Sequence, residues 1–383
     1  MSISQNFPST RPSLNLNFAR SKTLDPRITF TRTSTGTYVD ENGLIKTAPA
    51  NSPRFDHDPV TGECLGLLIE EQRENLLPYS IVSSLTWSNT DTVTNNVTIS
   101  PDGTNTAARI QVGAGYVALL NVSVTSGEAY TFSFWLKSVS GSGTWGINIF
   151  DHGIPSHNRT TVNITEEWQR VSYTYTPTGT TINVYVSDDR DNLATINDGY
   201  VWGAQLEKGS FMTSLIPTSG STATRSPDSV TMTGENFSDW YNQDEGTIYV
   251  SQKLKSIDTV DRNSVVYLIN GGSGSDLFYN VKKGDRNIFV FGDGGTNYSR
   301  WQEDGDATDT KTIWAYDVSG DDFKPYWNGI EGVNESTTNT PSATSYTQLE
   351  IGATISAKYN GHISQLTYYP VRLPNETLQT LTK

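Results

Sequence analysis

Gly66-Leu-Leu-Ile-Glu-Glu-Gln-Arg-Glu-Asn-Leu-Leu-Pro-Tyr-Ser80 holds two short apolar runs, Leu67 to Ile69 and Leu76-Leu77, joined by the charged Glu70-Glu71-Gln72-Arg73-Glu74. It reads as a buried strand, a polar turn and a second anchor. Upstream, Leu14-Asn-Leu-Asn-Phe18 and Ile28-Thr-Phe-Thr-Arg32 alternate apolar and polar residues at period two, the pattern of half-buried strands. Thr37 to Ile45 reads as a hairpin turning at Asn42-Gly43, where glycine tolerates the positive φ of a short turn. Residues 1 to 13 are polar, with Pro8 and Pro12, and read as an extended arm.

Downstream the pattern becomes regular. Apolar-alternating segments fall at Ala107–Val112, Val117–Val124, Tyr130–Lys137, Trp145–Phe150, Thr160–Ile164, Gln169–Thr176, Ile182–Ser187 and Tyr200–Leu206, with glycine-rich turns between them. Short strands at about ten-residue spacing indicate an antiparallel sandwich or jelly roll over 81–217. Residues 218–228 are linker-like. The β pattern then restarts over 229–383, with strands at 246–253, 265–270, 287–291, 311–317, 324–327 and 349–351. The expected fold class is all-β: two antiparallel β-sandwich (jelly-roll) domains in tandem after a small irregular β element, 1–80.

Composition agrees. Charged residues are only 18%, and 19 Tyr and 9 Trp accompany abundant Gly, Ser, Thr and Asn, a mixture suited to strands and turns. A net charge of −14 and a pI near 4.7 argue against a nucleic-acid partner. The lone Cys64 rules out an intrachain disulfide framework. Neither a signal-peptide pattern nor a run of about 18 apolar residues occurs, so membrane insertion is not expected.

The stretch Gly66 to Leu77, preceded by Thr29-Phe-Thr-Arg-x-Ser34 and Tyr38-Val-Asp40, resembles a segment near the N-terminus of tailed-phage appendage proteins, the head and tail fibres. The resemblance implies virion location, assembly in the host cytoplasm and attachment to other virion proteins through residues 1–80. Trp87-Ser88, Ser100-Pro-Asp-Gly103, Tyr130 to Lys137, Glu167-Trp-Gln-Arg-Val171 and Val201-Trp-Gly-Ala-Gln-Leu-Glu207 resemble, in order, carbohydrate-binding modules of the family 4/9 type. Trp314-Ala-Tyr-Asp317, Tyr326-Trp-Asn-Gly329 and Gly361 to Gln379 resemble a laminin-G or concanavalin-like sandwich ending in a short helix. The implied function is adhesion to host-surface glycans. The resemblance also implies that the return segment 208–228 packs back on the N-terminal element. Appendages admit homo-oligomers, but the chain has no apolar heptads for a coiled-coil stalk.

A glycan site needs aromatic faces for sugar C–H groups, with acids and amides for the hydroxyls. The stretch 145–159 gathers Trp145, Asp151, His152, His157 and Asn158, and Asp188-Asp189-Arg190-Asp191 is a neighbouring candidate, with Asp189 in its centre. In the last sandwich, Asp293, Tyr298 and Trp301 surround glycines, and Trp327 precedes a turn. Trp135, Trp168 and Trp202 read as core. No cofactor is expected; calcium is the one metal whose oxygen ligands the acids offer, at the 188–191 loop or at Asp304-Gly-Asp306 with Asp309, which lacks the twelve-residue EF-hand pattern. The four histidines lie at no metal-ligand spacing, and no Gly-x-Ser-x-Gly elbow or phosphate loop occurs. An enzyme is therefore not expected. A purely structural connector is the main alternative to an adhesin, and a polysaccharide depolymerase ranks behind both.

Overall fold

Alternation over Tyr130–Ser138 sends Tyr130, Phe132, Phe134 and Leu136 into a core and leaves Thr131, Ser133, Trp135 and Lys137 on the opposite face. The computed structural model, which describes residues 8–383 apart from 84–85, 114, 155, 256–263, 272–276, 284–285, 294–295, 304–307, 321, 333, 336–345 and 353–358, repeats this logic in two antiparallel sandwiches. The protein is all-β.

The first sandwich packs two five-stranded sheets. One orders its strands Gln169–Tyr175, Tyr130–Ser138, Asp198–Lys208, Ala107–Gln111 and Thr92–Thr98. The other runs Ser156–Ile164, Gly143–Asp151, Thr181–Asp188, Tyr116–Ser123 and Ser88–Asn89. Between them lie Trp87, Ile110, Phe132, Phe134, Trp145, Ile147, Val184 and Leu206, all buried.

The second sandwich packs two eight-stranded sheets, and residues 1–80 supply strands to both. In one sheet the last strand, Asn360–Tyr369, pairs with Glu245–Leu254 on one side. Its other side is tiled by two N-terminal strands, Leu14–Asn17 opposite Gln365 to Tyr368 and Cys64–Glu70 opposite Asn360 to Ile363. In the other sheet Thr29–Thr31 pairs with Ser229–Thr233. Leu14, Leu16, Phe18, Leu67 and Ile69 accordingly share a core with Trp314, Tyr316, Trp327 and Tyr368. Gly66 is required where the strand crosses the last one: its φ is +110°, and a Cβ there would sit 2.3 Å from the Ile363 carbonyl oxygen. The hairpin at Asn42-Gly43 joins Gly36–Val39 to Ile45–Ala48, with Gly43 at φ +76°.

The chain leaves this sandwich through Arg73–Asn75 and re-enters through Ala223–Arg225. These two strands pair antiparallel, so the 81–217 sandwich is set within the other at adjacent entry and exit points. Asn75 secures its root: Nδ2 donates to Ile216 O at 3.0 Å and Ala204 O at 3.3 Å, while Oδ1 accepts from Leu77 N and Leu206 N, both at 3.1 Å. The return segment packs on the N-terminal part, where Thr37 Oγ1 donates to Leu215 O at 2.6 Å.

Of the polar run in the Gly66–Ser80 stretch, Glu70, Glu71 and Arg73 are buried at this junction, while Gln72 and Glu74 are exposed. Glu70 Oε2 meets Arg54 Nη1 at 2.7 Å and Arg225 Nη1 at 3.1 Å and accepts from Ser214 Oγ at 2.6 Å, while Oε1 accepts from Ser214 N at 2.7 Å. Asp228 pairs with Arg32 at 3.0 Å and Arg54 at 2.5 Å and accepts from Glu70 N at 2.9 Å. Burial alone would raise the Glu70 pKa, but Arg225, Lys255 and Arg54 hold it well below the usual carboxylate range. Beside it, Asp56 accepts from His362 Nε2 at 2.7 Å and lies 3.6 Å from Lys255 Nζ. Burial opposes the Asp56 charge, yet Lys255 and His362 bring its pKa down to about 2. Desolvation also lowers His362 below an ordinary imidazole.

Glu70→Ala leaves the buried Arg225 without its ion-pair partner and Arg54 with Asp228 alone, and we expect it to cost about 3–5 kcal/mol, measured as a lower urea midpoint at unchanged slope. The depressed acids Asp56 and Glu70 stabilise the fold above their unfolded pKa and release that stability as pH falls through the folded values. His362, also depressed, withdraws stability below about pH 6.5. Urea titrations should therefore give a plateau above about pH 6.5, decline below it and fall most steeply between about pH 4 and 2, with Asp56 alone contributing about 2 kcal/mol.

Candidate functional site

In the strand Gly143–Asp151 the even-numbered Asn148 and Phe150 face away from the core, while Trp145, Ile147 and Ile149 face into it. The antiparallel register sets Asn148 opposite Arg159 and Tyr185, and Phe150 opposite His157 and Asn183. Cross-strand neighbours on one face therefore gather aromatic rings and polar groups on the outer side of the sheet.

The rings touch. Phe150 lies between His152, at a centroid distance of 4.9 Å, and His157, at 4.7 Å. Tyr185 meets Tyr116 edge-on at 5.5 Å and His157 at 6.2 Å. Arg190 spreads its guanidinium over Tyr116 at 5.0 Å and Tyr185 at 5.6 Å. Tyr185 is buried beneath this layer; Tyr116 and Phe150 are half-exposed, and His152 and His157 are exposed.

Asp188, fully buried at its side chain, is the polar hub. It accepts from Asn148 Nδ2 at 2.8 Å, Arg159 Nε at 3.1 Å, and Arg190 Nε and Nη2 at 2.7 Å each. Burial would raise its pKa, but Arg190 and Arg159 lower it below the ordinary value. Arg159 also grips Asp191 at 2.7 Å. Asn148 Nδ2 contacts His157 Nδ1 at 2.8 Å, and its buried Oδ1 is left without a partner. Asn183 Oδ1 takes the His152 Nε2 contact at 3.1 Å. Desolvation, reinforced by Arg159 and Arg190, lowers the His157 pKa below an ordinary imidazole. The result is a preorganised face with half-exposed rings, fixed donors and a central carboxylate already neutralised, suited to hydrogen-bonding and stacking on a polar, flat ligand.

The structure sorts the residues singled out in the sequence. His152 and His157 lie on this face. Trp145 does not: it is fully buried, with Nε1 donating to Val186 O at 2.7 Å. Asp151 is also buried, and its carboxylate receives Thr178 N at 2.7 Å, Gly153 N at 2.8 Å and Gly179 N at 3.2 Å, tying two turns together. Asn158 stands opposite Ile149 on the core side of the sheet and donates to its carbonyl at 3.1 Å. Asp189 folds onto its own turn, accepting from Leu193 N at 2.7 Å and Ala194 N at 2.8 Å. Trp327 is a core residue packed 5.1 Å from Phe289, followed by the tight turn Asn328-Gly329. Asp293, Tyr298 and Trp301 sit on the paired strands Arg286–Asp293 and Thr296–Glu303, and their side chains lie outside the described residues. Asp304 and Asp306 lie outside them as well; Asp309 is exposed at the start of the strand Asp309–Asp317.

Sequence reasoning missed Tyr116, Asn148, Phe150, Asn183, Tyr185 and Arg159 as partners in one face. Period-two alternation within 143–151 carried the signal for Asn148 and Phe150; the cross-strand partners required the register. Among the described residues no group of three or more His, Cys, Asp or Glu side chains is arranged to hold a metal ion. None of the described helices is long and apolar enough to cross a membrane.

No family model matches the chain, and no curated protein matches it. Among solved structures, the Ruminococcus gnavus IT-sialidase CBM40 bound to α2,3-sialyllactose is 17% identical, over 37% of this chain and 83% of that one, at a TM-score of 0.32. The NanB sialidase from Streptococcus pneumoniae is 14% identical over 40% of this chain and 26% of that one, at 0.33. The botulinum neurotoxin type G receptor-binding domain is 13% identical over 40% of this chain and 39% of that one, at 0.31. Likeness at this level assigns no function to this chain.

An NMR titration of the imidazoles should place the His157 pKa below the free-residue value. Asp188→Asn should lower it further, because the attracting carboxylate goes while both guanidiniums stay.

Proposed function

We propose that the 81–217 sandwich binds glycans through its outer sheet face and that the protein is a phage virion appendage presenting this face to host-surface polysaccharide. One observation carries the glycan reading: Tyr116, Phe150, His152, His157 and Arg190 form a contiguous ring-and-guanidinium surface over an Asp188–Asn148 hydrogen-bond floor. Sugar rings offer C–H faces to aromatics and hydroxyls to amides and charged groups, and this face offers both kinds of partner within one patch.

The virion placement rests on the resemblance of the Gly66–Leu77 segment and its upstream motifs. Within the fold, the apolar residues of that segment pack internally, so attachment to other virion proteins falls to the exposed parts of residues 1–80. Multiple copies on one particle make weak single sites useful through avidity. No catalytic role is assigned to any residue; the acids at this face, Asp188 and Asp191, are engaged by Arg159 and Arg190.

The experiment is a glycan array with the full chain, followed by titration of the best ligand. Phe150→Ala and Tyr116→Ala are each expected to weaken binding by about tenfold, the worth of one lost stacking contact, with thermal unfolding close to wild type. Unchanged binding in both variants would remove the face from the account.

A further inference from the structure

The opposite outer face of the same sandwich borders a cavity of about 1380 Å³, between the strands Tyr130–Ser138 and Gln169–Tyr175 and the N-terminal hairpin. Its walls include Leu44, Val60, Ile99, Trp135, Trp168 and Phe211. Trp135 and Trp168, which read as core in the sequence, are half-exposed here. Trp168 is fixed by Nε1 donating to Ile99 O at 3.1 Å.

The charges are what set this cleft apart in a chain of net charge −14. Lys137 Nζ lies 5.2 Å from the Trp168 ring centroid and 5.5 Å from that of Tyr200. Arg170 stacks on Trp135 at 4.4 Å, donates to Thr213 O at 2.5 Å and Ser133 Oγ at 3.0 Å, and keeps Nε buried without a partner. Neither cation forms an ion pair with a carboxylate among the described residues. Desolvation pulls the Arg170 pKa down to about 10, against the longer-range attraction of Glu207 and Glu70. His57 adds a buried Nε2 with no partner. Two acids also line the space: Asp56, already paired with His362 and Lys255, and the exposed Glu167.

We propose that this cleft is a second saccharide site, selective for chains of uronic acids. Sugar carboxylates supply the counter-charge that Lys137 and Arg170 lack, and ring faces rest against Trp168. A cavity this size exceeds the roughly 300–1,000 Å³ usual for single small ligands and accommodates several linked sugar rings. The site shares no residue with the Phe150 face, so the two stand or fall separately.

The test is calorimetric titration of the full chain with tetragalacturonate and with its methyl ester, which keeps the rings and removes the charge. The acid is expected to bind, and the ester about tenfold or more weaker, as the loss of a charge-assisted hydrogen bond implies. Lys137→Gln should weaken the acid by a similar factor, Trp168→Ala should weaken both ligands, and Phe150→Ala should leave both unchanged, with circular dichroism confirming that each variant is folded. Absence of tetragalacturonate binding, equal affinity for acid and ester, or loss with Phe150→Ala but not Lys137→Gln would overturn the proposal. Loss of array ligands in Phe150→Ala, with tetragalacturonate retained, separates this site from the outer-sheet face.

Discussion

Arg54 holds Glu70 with one arm of its guanidinium and Asp228 with the other, fully out of solvent, and the rest of the molecule is arranged about that bridge. Buried ion pairs earn stability only when their desolvation is offset by near-complete hydrogen bonding. Here both carboxylates are saturated: Glu70 by Ser214, Arg54 and Arg225, and Asp228 by Arg32, Arg54 and the Glu70 amide. The guanidiniums are less fully met, since Nε of Arg54 and of Arg225 has no partner. What the network adds is specificity of placement. Its members come from the Thr29–Thr31 edge, the strand Cys64–Glu70, the return segment at Ser214 and the re-entry strand Ala223–Arg225, and only one mutual arrangement satisfies them together.

That arrangement explains how one sandwich can be set within another. A chain that leaves at Arg73 and returns at Arg225 needs its two crossing strands pinned, or the inserted sandwich would hang on a bare ribbon. Pairing of Arg73–Asn75 with Ala223–Arg225, the Asn75 amide across Ala204 and Ile216, and the Glu70 cluster together fix the root. The two outer faces of the inserted sandwich differ, because the one lined by Thr213 and Lys255 borders this root. One carries the Phe150 and Tyr116 surface; the other closes partly against the N-terminal hairpin to form the Trp168 cleft.

Much of the fold is legible in the sequence because strand alternation is a local signal. The segments read at 107–112, 130–137, 145–150, 182–187 and 200–206 coincide with observed strands to within one or two residues at most ends. Thr92–Thr98, Leu277–Lys283 and Thr296–Glu303 escaped, being polar or mixed on both faces. The pairing of residues 14–17 and 64–70 with the last strand was invisible, since nothing local marks a partner some 300 residues away. The candidate site was legible in part. The stretch 145–159 does border the Phe150 and Tyr116 face, but composition alone cannot tell which side of a strand a residue takes, and a shift of one position sends it to the other face. Trp145 drew attention as an exposed ring but takes the core side of its strand; Phe150, an odd number of residues further on, faces out.

A glycan bound at the outer sheet face must perturb the protein there first. Backbone and imidazole NMR shifts recorded on adding the best array ligand should move in the strands Gly143–Asp151, Ser156–Ile164 and Thr181–Asp188, centred on Phe150, His157 and Arg190. Perturbations confined to the 229–383 sandwich, or spread without a centre, would contradict it.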